Sequence, residues 1–501
     1  MKIESATPGV RLPTRWLALR LLLAVAIAAL ADQLFFDFPA APGLSLAIFV
    51  AVCGLSALVA NPVRAKLSDR LVASCAYALA LTALIEDVSW LSCLIAAIAT
   101  PLFALVMITG DARDWPRQLR RALALPFFGA FWLVGDIRRS RRLSSKKSKM
   151  NLGMASLATW VAPILLSLLF LSLFASANPL IDAWARQIDP RHLFETISRW
   201  RVMFWLLVVC LVWPFIHLRR GRRPVRAAQA PEPAGGGECT LLFGKSAVLR
   251  SLASFNALFA LQTILDLAYL WGGLTLPDGM SYAAYAHRGA YPLIATALIA
   301  AAFVLIAMRP GGPAGASRWI KPLVLIFVAQ NILLVISSIF RTSLYIAAYS
   351  LSELRLAALI WMALVATGLV LTVIKIAQGK TNKWLLDANA LALAVTLYAC
   401  CFVNFPYVIA RYNIAHCAEA SGAGPTLDIF YLASLGPQAL PAYDDYRNLA
   451  IDHPSWTQII ERARAAETAR LKNANWRSWS LRSWRLARYF DTYPQIPGSP
   501  P

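Results

Sequence analysis

Ionisable side chains interrupt or border the apolar segments in the second half of this chain. Asp266 lies inside the apolar segment 251–272, and His287 and Arg288 stand just before the segment 290–308. A charged side chain at the centre of a bilayer costs about 3 kcal/mol or more, so a chain that keeps one there commonly uses it to bind a ligand, to move a proton or to pair with another charge. These residues are therefore the first candidates for function.

Polar residues also form a stripe on each of two apolar segments. On a helix that includes 251–272, one stripe falls within roughly 120° of arc and consists of Asn256, Gln262, Thr263 and Asp266. On 321–340 and its continuation, a second stripe consists of Gln330, Ser337 and Arg341. Because polar stripes are disfavoured against lipid, we expect both to face protein or a water-filled cavity.

The candidate binding cluster gathers the residues that we expect near the outer surface of the membrane: Asp266, His287, Arg288, Gln330, Ser337, Arg341, Glu353 and Arg355. Under one interpretation they line an outward-facing pocket for an anion, a polar solute or a lipid headgroup, with Arg288 and Arg341 as charge partners. Under the other they form ion pairs and hydrogen bonds that hold helices together. The sequence leaves both interpretations open.

The sequence contains no recognisable motif for catalysis or metal binding. The stretch Phe243–Ser246 resembles the end of a phosphate-binding loop, but Cys239 occupies the position of the first glycine that this loop requires. The eight cysteines include no CxxC pair, and the five histidines are scattered. We therefore expect no enzymatic activity, no metal site, no cofactor and no structural disulfide.

The elements that must position these residues are membrane-spanning helices. Of 501 residues, 58% are hydrophobic and 15% are charged, whereas a soluble protein has about a quarter charged residues. The apolar residues form blocks of roughly 18–22, the length that crosses a bilayer as a helix. The blocks predict about eleven spans: 16–34, 44–60, 71–86, 89–109, 152–176, 202–218, 251–272, 290–308, 321–340, 356–377 and 385–405.

The net charge of +22 follows the positive-inside pattern, because Lys and Arg concentrate in alternate connections. With the N-terminus inside, the cytoplasmic connections are 61–70, 111–149, 219–250, 309–321 and 375–383, and the tail after Asn404 lies outside. The positive charge predicts attraction to the lipid bilayer and its anionic headgroups rather than to nucleic acid.

Four regions follow from this pattern. Residues 1–218 form an N-terminal membrane half of about six spans, with a basic cytoplasmic loop at 111–149. Residues 219–250 are a linker rich in Pro, Gly and Arg, residues 251–405 are a C-terminal half of about five spans, and residues 406–501 are a helical tail. Within the basic loop, the apolar stretch 122–135 is too short to cross, and we interpret it as an interfacial or re-entrant segment or as a packed loop helix.

The sequence of the tail predicts helices at 426–435, 437–449, 454–472 and 475–490. On the last of these, the aromatic and aliphatic residues share one face: Trp476, Trp479, Trp484, Leu486 and Phe490. The opposite face carries Arg477, Arg482, Arg485 and Arg488. This amphipathic pattern is typical of a helix lying among lipid headgroups, and it equally fits a helix whose aromatic face packs on the rest of the protein.

Several stretches resemble a bacterial family of polytopic membrane proteins: Leu265–Gly273, Tyr282–Leu293, Ser350–Arg355, Arg411–His416 and Leu427–Gly436. The family is catalogued as domain of unknown function number 4173, with a relative numbered 4153. The resemblance runs from about residue 60 to the end, and it implies a multi-pass protein of the bacterial inner membrane. It brings no catalytic or ligand assignment.

Two functional hypotheses remain. The first is a transporter or binding component for a polar or anionic solute, which uses the cluster around Asp266, Arg288 and Arg341. The second is a sensory or regulatory scaffold, in which the tail or the basic loops engage a protein partner or anionic lipid. An enzyme acting on lipid or cell-wall intermediates is least favoured, since no set of catalytic groups is legible.

Overall fold

A computed structural model describes residues 14–38, 40–110, 114–145, 199–218, 245–268, 299, 318–422, 424–444 and 454–492. These residues form helices and connecting turns, and no strand occurs among them. The predicted spans 152–176 and 290–308, together with His287 and Arg288, lie outside the described residues. The prediction of an all-helical protein is confirmed for the part of the chain that the structure describes.

The chain divides into two compact units. Unit 1 contains residues 1–222 and 474–482, and unit 2 contains residues 223–473 and 483–501. The described helices of unit 1 are α1 (Thr14–Phe35), α2 (Leu44–Ala60), α3 (Leu67–Glu86), α4 (Trp90–Thr109), α5 (Trp115–Ser145) and α6 (Arg199–Ile216).

Small residues let the helices of unit 1 approach one another closely. Ala24, Ala31 and Ala57 are almost completely buried between helices, as is common where helices pack within membranes. A Cβ atom on Gly129 of α5 would lie 1.9 Å from the carbonyl oxygen of Cys210 on α6. Only glycine therefore permits this crossing of α5 and α6.

The apolar stretch 122–135 is not an isolated short segment, which corrects that part of the prediction. It lies inside α5, a single helix of 31 residues. The helix continues through Pro126, and its buried residues Ala122 and Leu125 belong to an apolar core of unit 1. Packing against α4 and α6 therefore explains the helix, as the packed-helix alternative proposed.

Unit 2 begins with long apolar helices and continues into short ones. The described helices are α7 (Lys245–Asp266), α8 (Ile320–Tyr349), α9 (Glu353–Gln378), α10 (Asn382–Cys400), α11 (Phe405–Ala415), α12 (Ala418–Ser421), α13 (Ile429–Ser434), α14 (Leu440–Asp444), α15 (Pro454–Lys472) and α16 (Leu481–Thr492). One apolar core joins α7, α8 and α9. A second joins α11 to the tail helices around Ile409, Ile414 and Trp456.

Five described helices are long and apolar enough to cross a membrane: α3, α4, residues 246–266 of α7, α8 and α9. The pair α10 and α11, which is bent by 73°, adds a sixth if it forms one broken span. Two shorter apolar helices, Leu44–Ala60 and Trp200–Ile216, fall below that length. The helices are compatible with an integral membrane protein, but they do not support the count of eleven spans.

The segment 475–490 is not one helix, so its predicted amphipathic faces do not form as expected. A 3₁₀ turn at Trp476–Ser478 is followed by extended backbone at Trp479, and α16 starts only at Leu481. The carbonyl oxygens of Arg477 and Trp479 accept hydrogen bonds from the backbone N–H groups of Gly43 and Leu44, at 2.8 and 2.7 Å. These tertiary bonds replace the bonds that a continuous helix would make.

Candidate binding site in unit 2

Helices α7 and α8 pack through an apolar interface that contains a few polar side chains. Phe327 of α8 lies against Phe255 and Phe259 of α7, with ring centroids 6.0 and 5.0 Å apart. Val324 and Leu252 are completely buried in the same core. In this apolar setting a polar group must find its hydrogen-bond partners within the protein or with a bound ligand or water.

The centre of the candidate site is an ion pair between Asp266, the last residue of α7, and Arg341 of α8. Asp266 is 1% exposed and Arg341 is 7% exposed. Arg341 Nη2 donates to Asp266 Oδ1, and Gln262 Nε2 donates to the same oxygen at 2.9 Å. Among the described residues, the other oxygen, Asp266 Oδ2, has no hydrogen-bond partner.

A second polar contact joins the two helices about ten residues away from this pair, or about 15 Å along a helix axis. Asn256 Nδ2 donates to the carbonyl oxygens of Leu252 and Leu323, at 2.8 and 3.1 Å. Gln330 Nε2 donates to the carbonyl oxygen of Asn256 at 3.1 Å. Since only an NH₂ group can donate to a carbonyl, these bonds fix both amide orientations.

The fixed orientations identify which atoms of the amides remain available. Asn256 Oδ1 and Gln330 Oε1 are buried and accept no hydrogen bond within the described part of the chain. Together with Asp266 Oδ2, three oxygen acceptors therefore lie along α7 and α8 without described donors. A ligand or water that supplies hydrogen-bond donors would satisfy them.

The other predicted site residues divide into three groups. Ser337 is buried on α8 between Gln330 and Arg341, as its stripe predicted. Arg355 donates to the carbonyl oxygens of Tyr349 (2.6 Å) and Ser350, and its guanidinium lies 4.3 Å from the centre of the Tyr345 ring. Arg355 thus provides hydrogen-bond donors for the carbonyl groups at the C-terminal end of α8. Glu353 is exposed at the start of α9. His287 and Arg288 fall outside the described residues.

Residues 73–446 match the family model described as domain of unknown function DUF4153. The match covers most of the chain, including Asp266 and Arg341. The chain belongs to the DUF4153 family. Membership confirms the predicted relation to family 4153, whereas the resemblance to family 4173 stays a prediction. No curated protein and no solved structure matches the chain.

Unit 1 contains a partly buried ionic contact that was not predicted from the sequence. Arg201 of α6 forms hydrogen bonds of 2.8 and 2.5 Å with the two carboxylate oxygens of Asp32 on α1. Trp205 donates to the same carboxylate at 2.9 Å. The available signal was that Asp32 and Arg201 each stand at the outer end of a predicted span.

A second buried group in unit 1 contains His217. Its Nδ1 lies 2.5 Å from Asp136 Oδ2, and Trp213 Nε1 donates to the same oxygen at 3.1 Å. Arg20 is also buried, and its Nη2 donates to the carbonyl oxygen of Ala60 at 3.4 Å. The Arg20 side chain is therefore held inside unit 1.

The tail part of unit 2 contains a cavity of about 340 Å³. Its wall is mainly apolar and includes Trp456, Ile460 and Ala463 of α15. At one side, Arg470 forms hydrogen bonds of 2.7 and 2.6 Å with the buried carboxylate of Glu467. The volume is within the range of small-molecule sites, which is about 300–1,000 Å³.

Proposed function

We propose that this protein is a transporter, or the binding component of one, for a polar or anionic solute in the bacterial inner membrane. The proposal includes the finer membrane arrangement: about eleven spans, the N-terminus inside and the tail outside. It includes no catalytic step. The observation that supports it best is the Asp266–Arg341 pair, which lies buried between two apolar helices.

The physical reason is the energetic cost of such a pair. Moving two charges out of water costs several kcal/mol per ion, and the pairing energy often does no more than repay it. Helices α7 and α8 already share an extensive apolar core, so stability alone is a weak reason for placing two charges there. A guanidinium within an apolar interface is well suited to hold a carboxylate or phosphate group of a solute.

The test separates a binding role from a structural one by removing both charges together. Arg341→Gln alone leaves Asp266 buried without its cation, so we expect this variant to lose stability. In the double variant Asp266→Asn, Arg341→Gln the buried charge is gone, so we expect near-normal accumulation together with the loss of solute binding. The measurement is mass spectrometry of small solutes that remain bound to the purified protein.

The control is Asp444→Asn, Arg464→Gln, which neutralises a partly buried pair of unit 2 in the tail. We expect the control to retain the solutes that the wild-type protein retains. If the Asp266, Arg341 double variant retains them equally well, the pair is structural and the proposed function is wrong.

A second candidate function is a sensory or regulatory scaffold, which the tail cavity favours. In this case the tail engages a protein partner or anionic lipid, and solute flux is not involved. Deleting residues 452–501 should then remove a co-purifying partner while any solute flux stays the same. A normal partner profile after the deletion would count against the scaffold.

A further inference from the structure

We infer that the ligand of the Asp266–Arg341 site is a zwitterion with one carboxylate and one ammonium group, such as a free amino acid. The inference rests on the proposed function and names its solute class. It follows from two properties of the site: its charge balance, and the kind of hydrogen-bonding atom that it leaves available.

The charge balance limits which ligands can engage Arg341. Asp266 and Arg341 are both more than nine-tenths buried, and together they are neutral. A simple anion that took the guanidinium from Asp266 would leave a buried carboxylate without its cation, which is strongly unfavourable. A zwitterion gives its carboxylate to Arg341 and its ammonium to Asp266, so each buried charge keeps an opposite charge beside it.

The hydrogen-bonding atoms lead to the same ligand class. Both described bonds to the Asp266 carboxylate reach Oδ1, and Oδ2 is buried without a partner in the described part of the chain. An ammonium group has three donors and no acceptor, so it can satisfy Oδ2, whereas a carboxylate or a phosphate-ester dianion, which has no donor, cannot. The amide oxygens of Asn256 and Gln330 lie about 15 Å away along the same two helices, so the same ammonium group does not reach them.

One alternative preserves charge balance in another way, because a simple anion could bind together with a proton on Asp266. The two ligand classes differ in a measurable quantity. Binding of a zwitterion to the ionised pair takes up no proton, whereas binding of an anion with protonation of Asp266 takes up about one proton per ligand.

The experiment uses the full-length purified protein and three matched probes at neutral pH. The twenty common amino acids are first screened by their effect on the thermal unfolding temperature. For each amino acid that raises it, the deaminated carboxylic acid and the decarboxylated amine of the same side chain are titrated in parallel. Calorimetry in two buffers of different ionisation enthalpy gives the number of protons taken up.

We expect at least one amino acid to bind without proton uptake, and its acid and amine analogues to bind at least tenfold more weakly. In Asp266→Asn the preference should reverse, because the carboxylate that holds the ammonium group is gone while the Arg341 guanidinium still binds a carboxylate. The control variant Asp444→Asn, Arg464→Gln should behave like the wild-type protein. If Asp266→Asn does not accumulate, the double variant Asp266→Asn, Arg341→Gln must lose binding of the amino acid instead.

The remaining outcomes contradict the inference in distinguishable ways. If the carboxylic acid binds as tightly as its amino acid and takes up one proton, the ligand is an anion, and the proposed function stands without the zwitterion. If no amino acid binds, the zwitterion is excluded. If the double variant also retains the same solutes as the wild-type protein, the proposed function fails as well.

Discussion

A buried carboxylate such as Asp266 is stable only while a cation remains beside it. Arg341 is that cation, and Gln262 is a neutral donor to the same carboxylate oxygen, Asp266 Oδ1. Burial of both charges makes the pair sensitive to the removal of one member and tolerant of the removal of both. This asymmetry gives a stability prediction that does not depend on any ligand.

We expect Asp266→Asn to lower the free energy of unfolding by about 3–5 kcal/mol, because the buried Arg341 loses the carboxylate with which it pairs. The double variant Asp266→Asn, Arg341→Gln should lie within about 1 kcal/mol of the wild-type protein, since a neutral pair needs no compensation. Thermal unfolding in detergent measures both. Equal losses in the single and double variants would show that the shape of the side chains, and not their charge, decides the stability.

The prediction for Tyr443 concerns alkaline pH. Burial raises the pKa of the Tyr443 hydroxyl above its ordinary value, and this hydroxyl donates to the carbonyl oxygen of Leu432 at 2.6 Å. As the pH rises, the Tyr443 hydroxyl ionises in the unfolded chain before it does so in the folded protein, at about pH 10. The contribution of Tyr443 to the stability of unit 2 should therefore be constant below that pH and should fall as the pH rises above it.

Tyr443→Phe provides the comparison. At neutral pH it should cost about 1 kcal/mol for the lost hydrogen bond, and above about pH 10 its stability should fall less steeply than that of the wild-type protein. Unfolding temperatures measured across this pH range give the two slopes. Parallel slopes would mean that other groups cause the alkaline loss.

Sequence reasoning found some of these residues and missed others for physical reasons. The stripes on two apolar segments placed Asp266 and Arg341 on inward faces, because a charge inside a long apolar run has few other places to go. The sequence does not identify Arg20 as a buried charge, since a long side chain near a helix end can snorkel in principle. Only the packed structure shows that Arg20 is buried instead.

At the scale of the elements, the segment 474–482 shows how tertiary contacts override a local pattern. The alternation of Trp and Arg favours a continuous amphipathic helix. Two carbonyl groups of this segment instead accept hydrogen bonds from backbone N–H groups at the N-terminus of α2. Arg482 also lies 3.6 Å from Glu86 and 3.1 Å from Asp87, at the end of α3. A periodicity computed within one segment cannot reveal partners so distant in the sequence.

Gly43 is the position where this contact can be tested. A Cβ atom there would lie 2.3 Å from the carbonyl oxygen of Trp479 and 2.4 Å from the backbone carbon of Ser478. We expect Gly43→Val to displace the segment 474–482 and to expose Arg477 and Arg482 to trypsin. Ala41→Val, at an exposed neighbouring position, is the control and should digest like the wild-type protein.

The crossing of α5 and α6 gives a second test of an element. Gly129→Ala places a methyl group against the carbonyl oxygen of Cys210, so we expect a loss of about 1–3 kcal/mol, as for other overpacked sites. The measurement is thermal unfolding. Leu123→Ala, on an exposed part of α5, should change the unfolding temperature much less.

At the scale of the whole molecule, hydropathy and charge predicted the helical class and the location of most described helices. Predicted limits such as 356–377 lie inside the observed helix Glu353–Gln378. The predicted limits missed the length of α5 and the bend between α10 and α11, because a helix can continue beyond its apolar core and can end inside an apolar run. The orientation of the helices across the membrane is set when the chain is inserted in the cell, so it is measured in cells.

Reporter fusions measure that orientation. We expect a cytoplasmic fluorescent reporter inserted after Gln229 to be active, and a periplasmic phosphatase fused after Pro501 to be active as well, because the basic residues of 219–250 should stay inside. Each reporter exchanged to the other position should be inactive. The same location for both positions would require an even number of spans between them.

The hydrogen bond between Ser45 and the carbonyl of Arg477 joins residues 432 positions apart. On the ribosome, α2 is synthesised long before that carbonyl exists. Its first turn therefore lacks these hydrogen-bond acceptors until translation has passed Trp479. A nascent chain that stops before Arg477, for example at a premature stop codon, would therefore leave the first turn of α2 without these acceptors.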